Sequence, residues 1–178
     1  YKAIFMKDVI RSNGIEIKKI ISQQIVLRSS GNSEFNGVVN KALKLLPPSD
    51  NLRIVTNDNF ILAKMSFDQW NLVFKKDIEQ KKFHKLCDTF NKSSSILATN
   101  LTDSQIFFQV GGDNATMILN KLTHFDFREK SFKPLTAAQT LLARIDCSIF
   151  NLDNVILLSC GRSFSDYLED RLIDAVNL

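Results

Sequence analysis

The stretch LRIVTNDNFILAKMSFDQWNLVFK, residues 52–75, decides the fold. It holds three short runs of branched and aromatic residues, at 52–56, 60–65 and 70–75, separated by the turn-formers Asn57-Asp58-Asn59 and Ser66-Phe67-Asp68. Apolar runs of that length between polar turns predict an antiparallel meander of three strands. A helix is predicted on either side of it. Upstream, Phe35, Val38, Val39, Ala42, Leu45 and Leu46 recur at helical spacing and form one apolar stripe. Pro47-Pro48 ends that helix, because proline lacks the amide and restrains the residue before it. Downstream, Asp77 opens a helix whose Phe83, Leu86, Cys87 and Phe90 sit at i, i+3, i+4 and i+7, closed by Asn91-Lys92-Ser93-Ser94.

Outward from this block the pattern continues. Residues 24–29 form a β-run, followed by the turn-rich Ser30-Gly31-Asn32-Ser33. Beyond the second helix, 95–99 and 105–110 read as strands and 113–122 as a helix with Ala115, Ile118, Leu119 and Leu122 on one face. After a loop over 123–134, Leu141, Ala143, Ile145, Cys147 and Ile149 alternate with Arg144, Asp146 and Ser148, predicting one half-buried strand. Asn151-Leu152-Asp153-Asn154 turns the chain into 155–160. A last helix covers 164–176, with Ser163 and Asp166 as an approximate capping box and Phe164, Leu168, Leu172 and Val176 as its apolar row. Helices separated by two or three strands predict an α+β fold with mainly antiparallel sheets, built as two loosely repeated split β-α-β (ferredoxin-like) units. The organisation expected is an arm over 1–20, then a single domain over 21–178 whose halves are about 21–92 and 93–178.

At 178 residues, 44% hydrophobic and 24% charged, the chain has the composition of a folded globular protein. The net charge of +4 is interleaved with acids, as in Lys75-Lys76-Asp77-Ile78-Glu79-Gln80-Lys81-Lys82, without a nucleic-acid reading motif. A solvated surface is expected, and no nucleic-acid partner. Cys87, Cys147 and Cys160 are odd in number and far apart, so they are expected as small buried hydrophobes in a reducing compartment. No run approaches the ~20 apolar residues of a membrane span. The opening YKAIFMKDVIRSNG lacks the apolar core of a secretory signal, so a cytoplasmic protein with no membrane partner is expected.

The segment QIFFQVGGDNATMILNKL, residues 105–122, resembles a phosphate cradle, with a strand running through two glycines into a helix. It matches neither G-x-G-x-x-G nor the Walker pattern, and it has no lysine to reach a phosphate. Asp113 is expected to cap the helix and to repel an anion there. His84 is expected on a solvated helix face, and His124, beside Phe125, Asp126, Phe127 and Arg128, in a loop hydrogen bond rather than in catalysis. Ser159-Cys160-Gly161-Arg162-Ser163 lacks the G-x-S-x-G context of a nucleophile. Arg162 could fork onto a carboxylate of a ligand or partner, although a surface ion pair is the commoner outcome. Several of the fourteen phenylalanines fall in predicted loops. Phe67, Phe125, Phe127 and Phe132, with Trp70, form either a contact surface for another protein or the packing beneath their own loops. Trp70, Phe125, Phe127, Phe132 and Arg162 are the candidate partner-interface residues. No catalytic, cofactor or metal residues are assigned.

An ordered series of short motifs remains. It comprises Asn100 through Gln105, Gly111 through Ala115 with Ile118-Leu119, Phe125-Asp126-Phe127, Phe132, Ala137 through Thr140, and Cys160-Gly161-Arg162-Ser163-Phe164-Ser165-Asp166-Tyr167-Leu168. Together these resemble the gamma subunit family of heterotetrameric sarcosine oxidase, over most of 95–176 and more weakly from Ile25 to Trp70. The chain departs from the family pattern at Phe127, where leucine is usual, and at Ser165, where alanine is usual.

The resemblance implies a fold like the folate-binding domains of the glycine-cleavage T-protein. It also implies a non-catalytic subunit within a bacterial oxidoreductase hetero-oligomer of sarcosine catabolism and one-carbon metabolism. The implied partners are the alpha, beta and delta subunits, mainly the large alpha subunit. FAD, FMN, NAD, tetrahydrofolate and zinc would lie on those subunits, and this chain would bind none. The complex would convert sarcosine to glycine, hydrogen peroxide and formaldehyde or methylenetetrahydrofolate. The alternative is a free-standing folate-binding or aminomethyltransferase-like protein of T-protein type. Such proteins carry K-G-C-[YF]-x-G-Q-E, where this chain has Phe132-Lys133-Pro134-Leu135-Thr136.

Overall fold

The structure, a computed structural model, describes residues 6–178. Eleven strands and four helices alternate along it. The strands are β1 (Met6–Ser12), β2 (Ile15–Ile20), β3 (Gln24–Arg28), β4 (Ile54–Thr56), β5 (Phe60–Ser66), β6 (Gln69–Phe74), β7 (Leu97–Asn100), β8 (Gln105–Gly111), β9 (Thr136–Leu142), β10 (Ile145–Asn151) and β11 (Val155–Gly161). The helices are α1 (Ser33–Leu43), α2 (Gln80–Asn91), α3 (Ala115–Asn120) and α4 (Ser165–Asn177), the last preceded by a 3-10 turn at Arg162–Phe164. The chain is α+β, and every strand pairing in it is antiparallel. It divides into two compact units, Ser22–Thr102 and 6–21 with Asp103–Leu178.

The first unit carries the sheet β4-β5-β6-β3-β7. Because β6 is antiparallel to both β3 and β5, those two run the same way with β6 between them. That arrangement is the split β-α-β of a ferredoxin-like unit, completed by β7 and extended by the short edge strand β4. Cross-strand rows build its core: Leu62, Leu72 and Ile25 face one another, as do Trp70, Leu27 and Ala98. Phe35, Val39 and Leu43 of α1 and Phe83 and Phe90 of α2 close over that face. Asn32 caps α1 by accepting the Phe35 amide at 2.9 Å. The helix stops at Leu43 rather than at the expected Leu46, because Lys44 turns left-handed with φ of 56°. Leu46, freed from the helix, is 68% exposed.

The second unit carries the sheet β1-β2-β8-β11-β10-β9. Its β8-α3-β9-β10-β11-α4 order repeats the β3-α1-β4-β5-β6-α2 order of the first unit, and β9-β10-β11-β8 repeats β4-β5-β6-β3. The units differ at the fifth position, where β7 follows α2 in the first and β2 supplies the strand in the second. Of the expected arm over 1–20, residues 1–5 lie outside the described residues, and 6–20 are corrected to the hairpin β1-β2, whose second strand completes this sheet. Ile17, Val110 and Ile156 form one cross-strand row of its core, and Phe108, Leu158, Ile149 and Ala138 another. Leu168, Leu172, Ala175 and Val176 of α4 pack on them.

The expected single strand around Leu141 to Ile149 is two strands. Ala143 and Arg144 both take positive φ, 50° and 72°, in a two-residue hairpin loop between the paired Leu142 and Ile145. The sequence alternation straddles this turn and reverses phase across it, leaving Leu141 54% exposed while Leu142 is buried. Ser163 makes no capping bond, and Phe164, expected in the apolar row, sits at the α4 N-cap half exposed.

Candidate partner-contact surface

Gly111-Gly112-Asp113-Asn114 turns β8 into α3 and at the same time docks the β1-β2 hairpin. Gly112 has φ of +102°, and a Cβ there would lie 2.4 Å from the Gly14 carbonyl oxygen. The Asn114 amide donates to that same oxygen at 3.2 Å, and its side-chain amide donates to the Asn13 carbonyl at 2.6 Å. Asp113 is not the cap that was expected. Asn114 occupies the N-cap position without a side-chain capping bond. The Gly14 backbone fills the space that a Cβ on Gly112 would need, so Gly112 serves a close backbone contact with the hairpin turn.

The candidate aromatics divide sharply. Trp70 is a core residue of β6, 1% exposed. Its ring lies 4.5 Å from that of Phe35, and its indole nitrogen donates to the Pro48 carbonyl at 3.1 Å. Phe127 and Phe132 are buried and, with half-buried Phe125, form three mutually edge-on pairs with centroids 5.0–6.0 Å apart. These four residues are therefore corrected from contact surface to internal packing: Trp70 packs in the core against Phe35 of α1, and the three phenylalanine rings fill the space beneath their own loop. Asp126 locks the loop above them. It accepts two bonds from the Arg128 guanidinium at 2.8 Å and one from Ser131 at 2.7 Å. Those donors hold its carboxyl well below the usual range, so the loop clasp stays ionised. Phe67, between β5 and β6, is 77% exposed and presents an aromatic face, as do the half-exposed Phe164 and Tyr167.

Arg162 is half-exposed at the end of β11 and meets Asp103 at 3.5 Å, the surface ion pair rather than a fork onto a ligand. His84 is exposed beside Gln80 at 3.1 Å, and His124 is exposed. Among the described residues, no group of three or more His, Cys, Asp or Glu is placed to share a metal ion. No helix among them is long and apolar enough to cross a membrane.

Burial pushes the Cys147 thiol up to about 12 and the Cys160 thiol up to about 11, well above the ordinary 9.0. Both stay protonated at neutral pH and are poor nucleophiles. Their linkage to folding has one sign. A folded pKa above the unfolded one gives stability that is complete below pH 9.0 and is lost as pH rises toward 11 and 12. Urea midpoints should therefore fall across that alkaline window, and Cys147→Ala, less stable at neutral pH, should lose less across it than the parent protein.

What the sequence reading passed over lies on the outer face of α1 and α2. A groove of 630 Å³ runs between them, lined by Val38, Lys41 and Ala42 on one side and by Lys82, Lys85 and Leu86 on the other. Each lysine reads singly as solvated surface. The usable signal is that Lys82, Lys85 and Thr89 share a helical stripe with Leu86.

Against known proteins, the chain is similar in fold to a chain of the heterotetrameric sarcosine oxidase from Corynebacterium sp. U-96 in complex with pyrrole 2-carboxylate. The TM-score is 0.82 at 18% identity, over 96% of this chain and 87% of that one. It is also similar to the glycine cleavage system aminomethyltransferase T from Bartonella henselae, with a TM-score of 0.63 at 12% identity, over 85% of this chain but 43% of that one. The sequence matches no curated protein. The profile of the family described as "SoxG: Sarcosine oxidase, gamma subunit family" matches residues 27–177, which span both compact units. This chain belongs to the sarcosine oxidase gamma subunit family.

Proposed function

We propose that this chain serves as the gamma subunit of a heterotetrameric sarcosine oxidase, an accessory chain that supplies no catalytic group to the complex. The observation that carries this reading is the family match over residues 27–177. In this reading the alpha, beta and delta subunits are the partners, chiefly alpha, and FAD, FMN, NAD, tetrahydrofolate and zinc belong to them. The complex converts sarcosine to glycine, hydrogen peroxide and formaldehyde or methylenetetrahydrofolate in the cytoplasm. The chemistry of this chain agrees with an accessory role, since its buried thiols are held protonated and its glycine turn is occupied by its own backbone.

The free-standing aminomethyltransferase alternative rests on fold alone, and the chain spans under half of the matching enzyme. Co-expression with the neighbouring genes, followed by size-exclusion chromatography, tests the proposal. The chain should migrate with flavin absorbance. Migration as a lone chain while a flavoprotein forms without it would reject the subunit role.

A further inference from the structure

We propose that the groove between α1 and α2 seats an acidic amphipathic helix of a partner subunit. The inference rests on the gamma-subunit reading and adds to it a surface and a partner chemistry.

The floor of the groove is apolar, made by the half-buried Val38 and Ala42 of α1 and Leu86 of α2. Exposed lysines, Lys41, Lys82, Lys85 and Lys92, stand around it. Among the described residues, none of these four meets a carboxylate of its own chain. The single carboxylate in the lining, Glu34, is already occupied by the hydroxyls of Ser93 and Ser95. The groove therefore carries a net positive charge around an apolar strip, four lysines against the single Glu34 carboxylate.

An amphipathic helix with apolar residues at i, i+3 or i+4 and i+7 matches the strip, and glutamates or aspartates along its flanks match the lysines. A nucleic acid would use the lysines and leave the apolar floor unfilled, and the lining offers no aromatic ring on which a base could stack. The helices themselves are anchored from beneath by Phe35, Val39, Leu43, Phe83 and Phe90, so the groove is preformed.

The test uses the co-expressed complex. Carbodiimide joins an ammonium directly to a carboxylate it touches, so cross-links from Lys82 and Lys85 should map to acidic residues on one helical stripe of a partner subunit. The double variant Lys82→Glu/Lys85→Glu should assemble about tenfold less tightly, and the parent complex should weaken as salt rises. Both lysines are exposed, so the variant should keep the parent circular dichroism and Tm. The milder Lys82→Gln/Lys85→Gln should fall between the two. If the parent assembles while cross-links lie elsewhere and both variants assemble equally well, the groove proposal is overturned and the subunit reading stands. Failure of the parent itself to assemble overturns both. Binding of RNA at these lysines, lost on nuclease treatment, overturns the choice of partner.

Discussion

Trp70→Ala is expected to cost about 3–5 kcal/mol and to lower Tm by about 6–20 °C. The indole is 1% exposed and lies 4.5 Å from the Phe35 ring, so its removal opens a cavity that the α1 and β6 backbones hold apart. It also strips the Pro48 carbonyl of its 3.1 Å donor, and that carbonyl fixes the segment that follows α1. Trp70→Phe keeps most of the stack and loses the hydrogen bond, so it should cost about 1–2 kcal/mol. Circular dichroism is the measurement, because the variant lacks the protein's single tryptophan. A contact-surface tryptophan would behave in the opposite way, with an unchanged Tm and lost assembly.

Gly112→Ala is the second large effect, expected to cost about 2–5 kcal/mol. The position is strained for any L side chain at φ of +102°, and the new methyl would meet backbone atoms of Gly14 and Ile15 at 2.4–3.0 Å, none of which is the flexible end of a side chain. Relief requires lifting the hairpin turn and with it the Asn114 bonds to Asn13 and Gly14. Amide exchange should therefore speed up across β1 and β2 before it does in β10 or β11. Two glycines give the contrast. At Gly111 the obstacle is only the Val155 side chain at 3.2 Å, so the cost should be smaller. Gly37, in mid-α1 with nothing within 4 Å, should gain about 0.5–1 kcal/mol on conversion to alanine.

The elements legible in the sequence are those whose pattern and punctuation agree. The β4-β5-β6 meander announces itself because Asn57-Asp58-Asn59 and Ser66-Phe67-Asp68 separate its apolar runs. The Ala143-Arg144 turn does not, because neither residue is a turn-former and only the antiparallel pairing of β9 with β10 holds both at positive φ. The β1-β2 hairpin did carry a signal in Asn13-Gly14, the dipeptide best suited to a two-residue turn, but its strands are short of apolar alternation. β2 becomes a strand because β8 supplies an edge from a distant part of the chain. Asp113 and Ser163 fail as caps for a related reason: the chain enters α3 and α4 through turns, with Asn114 and Phe164 at the cap positions.

At the candidate surface, side-chain type alone could not separate contact from core. Phe125, Phe127 and Phe132 lie in a loop, yet the bonds of Asp126 to Arg128 and Ser131 fold that loop onto itself and turn the rings inward. The lysines of the α1-α2 groove are ordinary one at a time. Their grouping around Val38, Ala42 and Leu86 depends on two helices that lie far apart in sequence.

The central claim, that this chain is a subunit of an oxidase and not a free enzyme, is tested most directly by native mass spectrometry. The tagged chain would be co-expressed with the neighbouring flavoprotein genes. A single assembly containing this chain together with flavin-bearing chains is the expected result. This chain found alone, beside a flavoprotein complex that assembles and oxidises sarcosine fully without it, would rule out the subunit role.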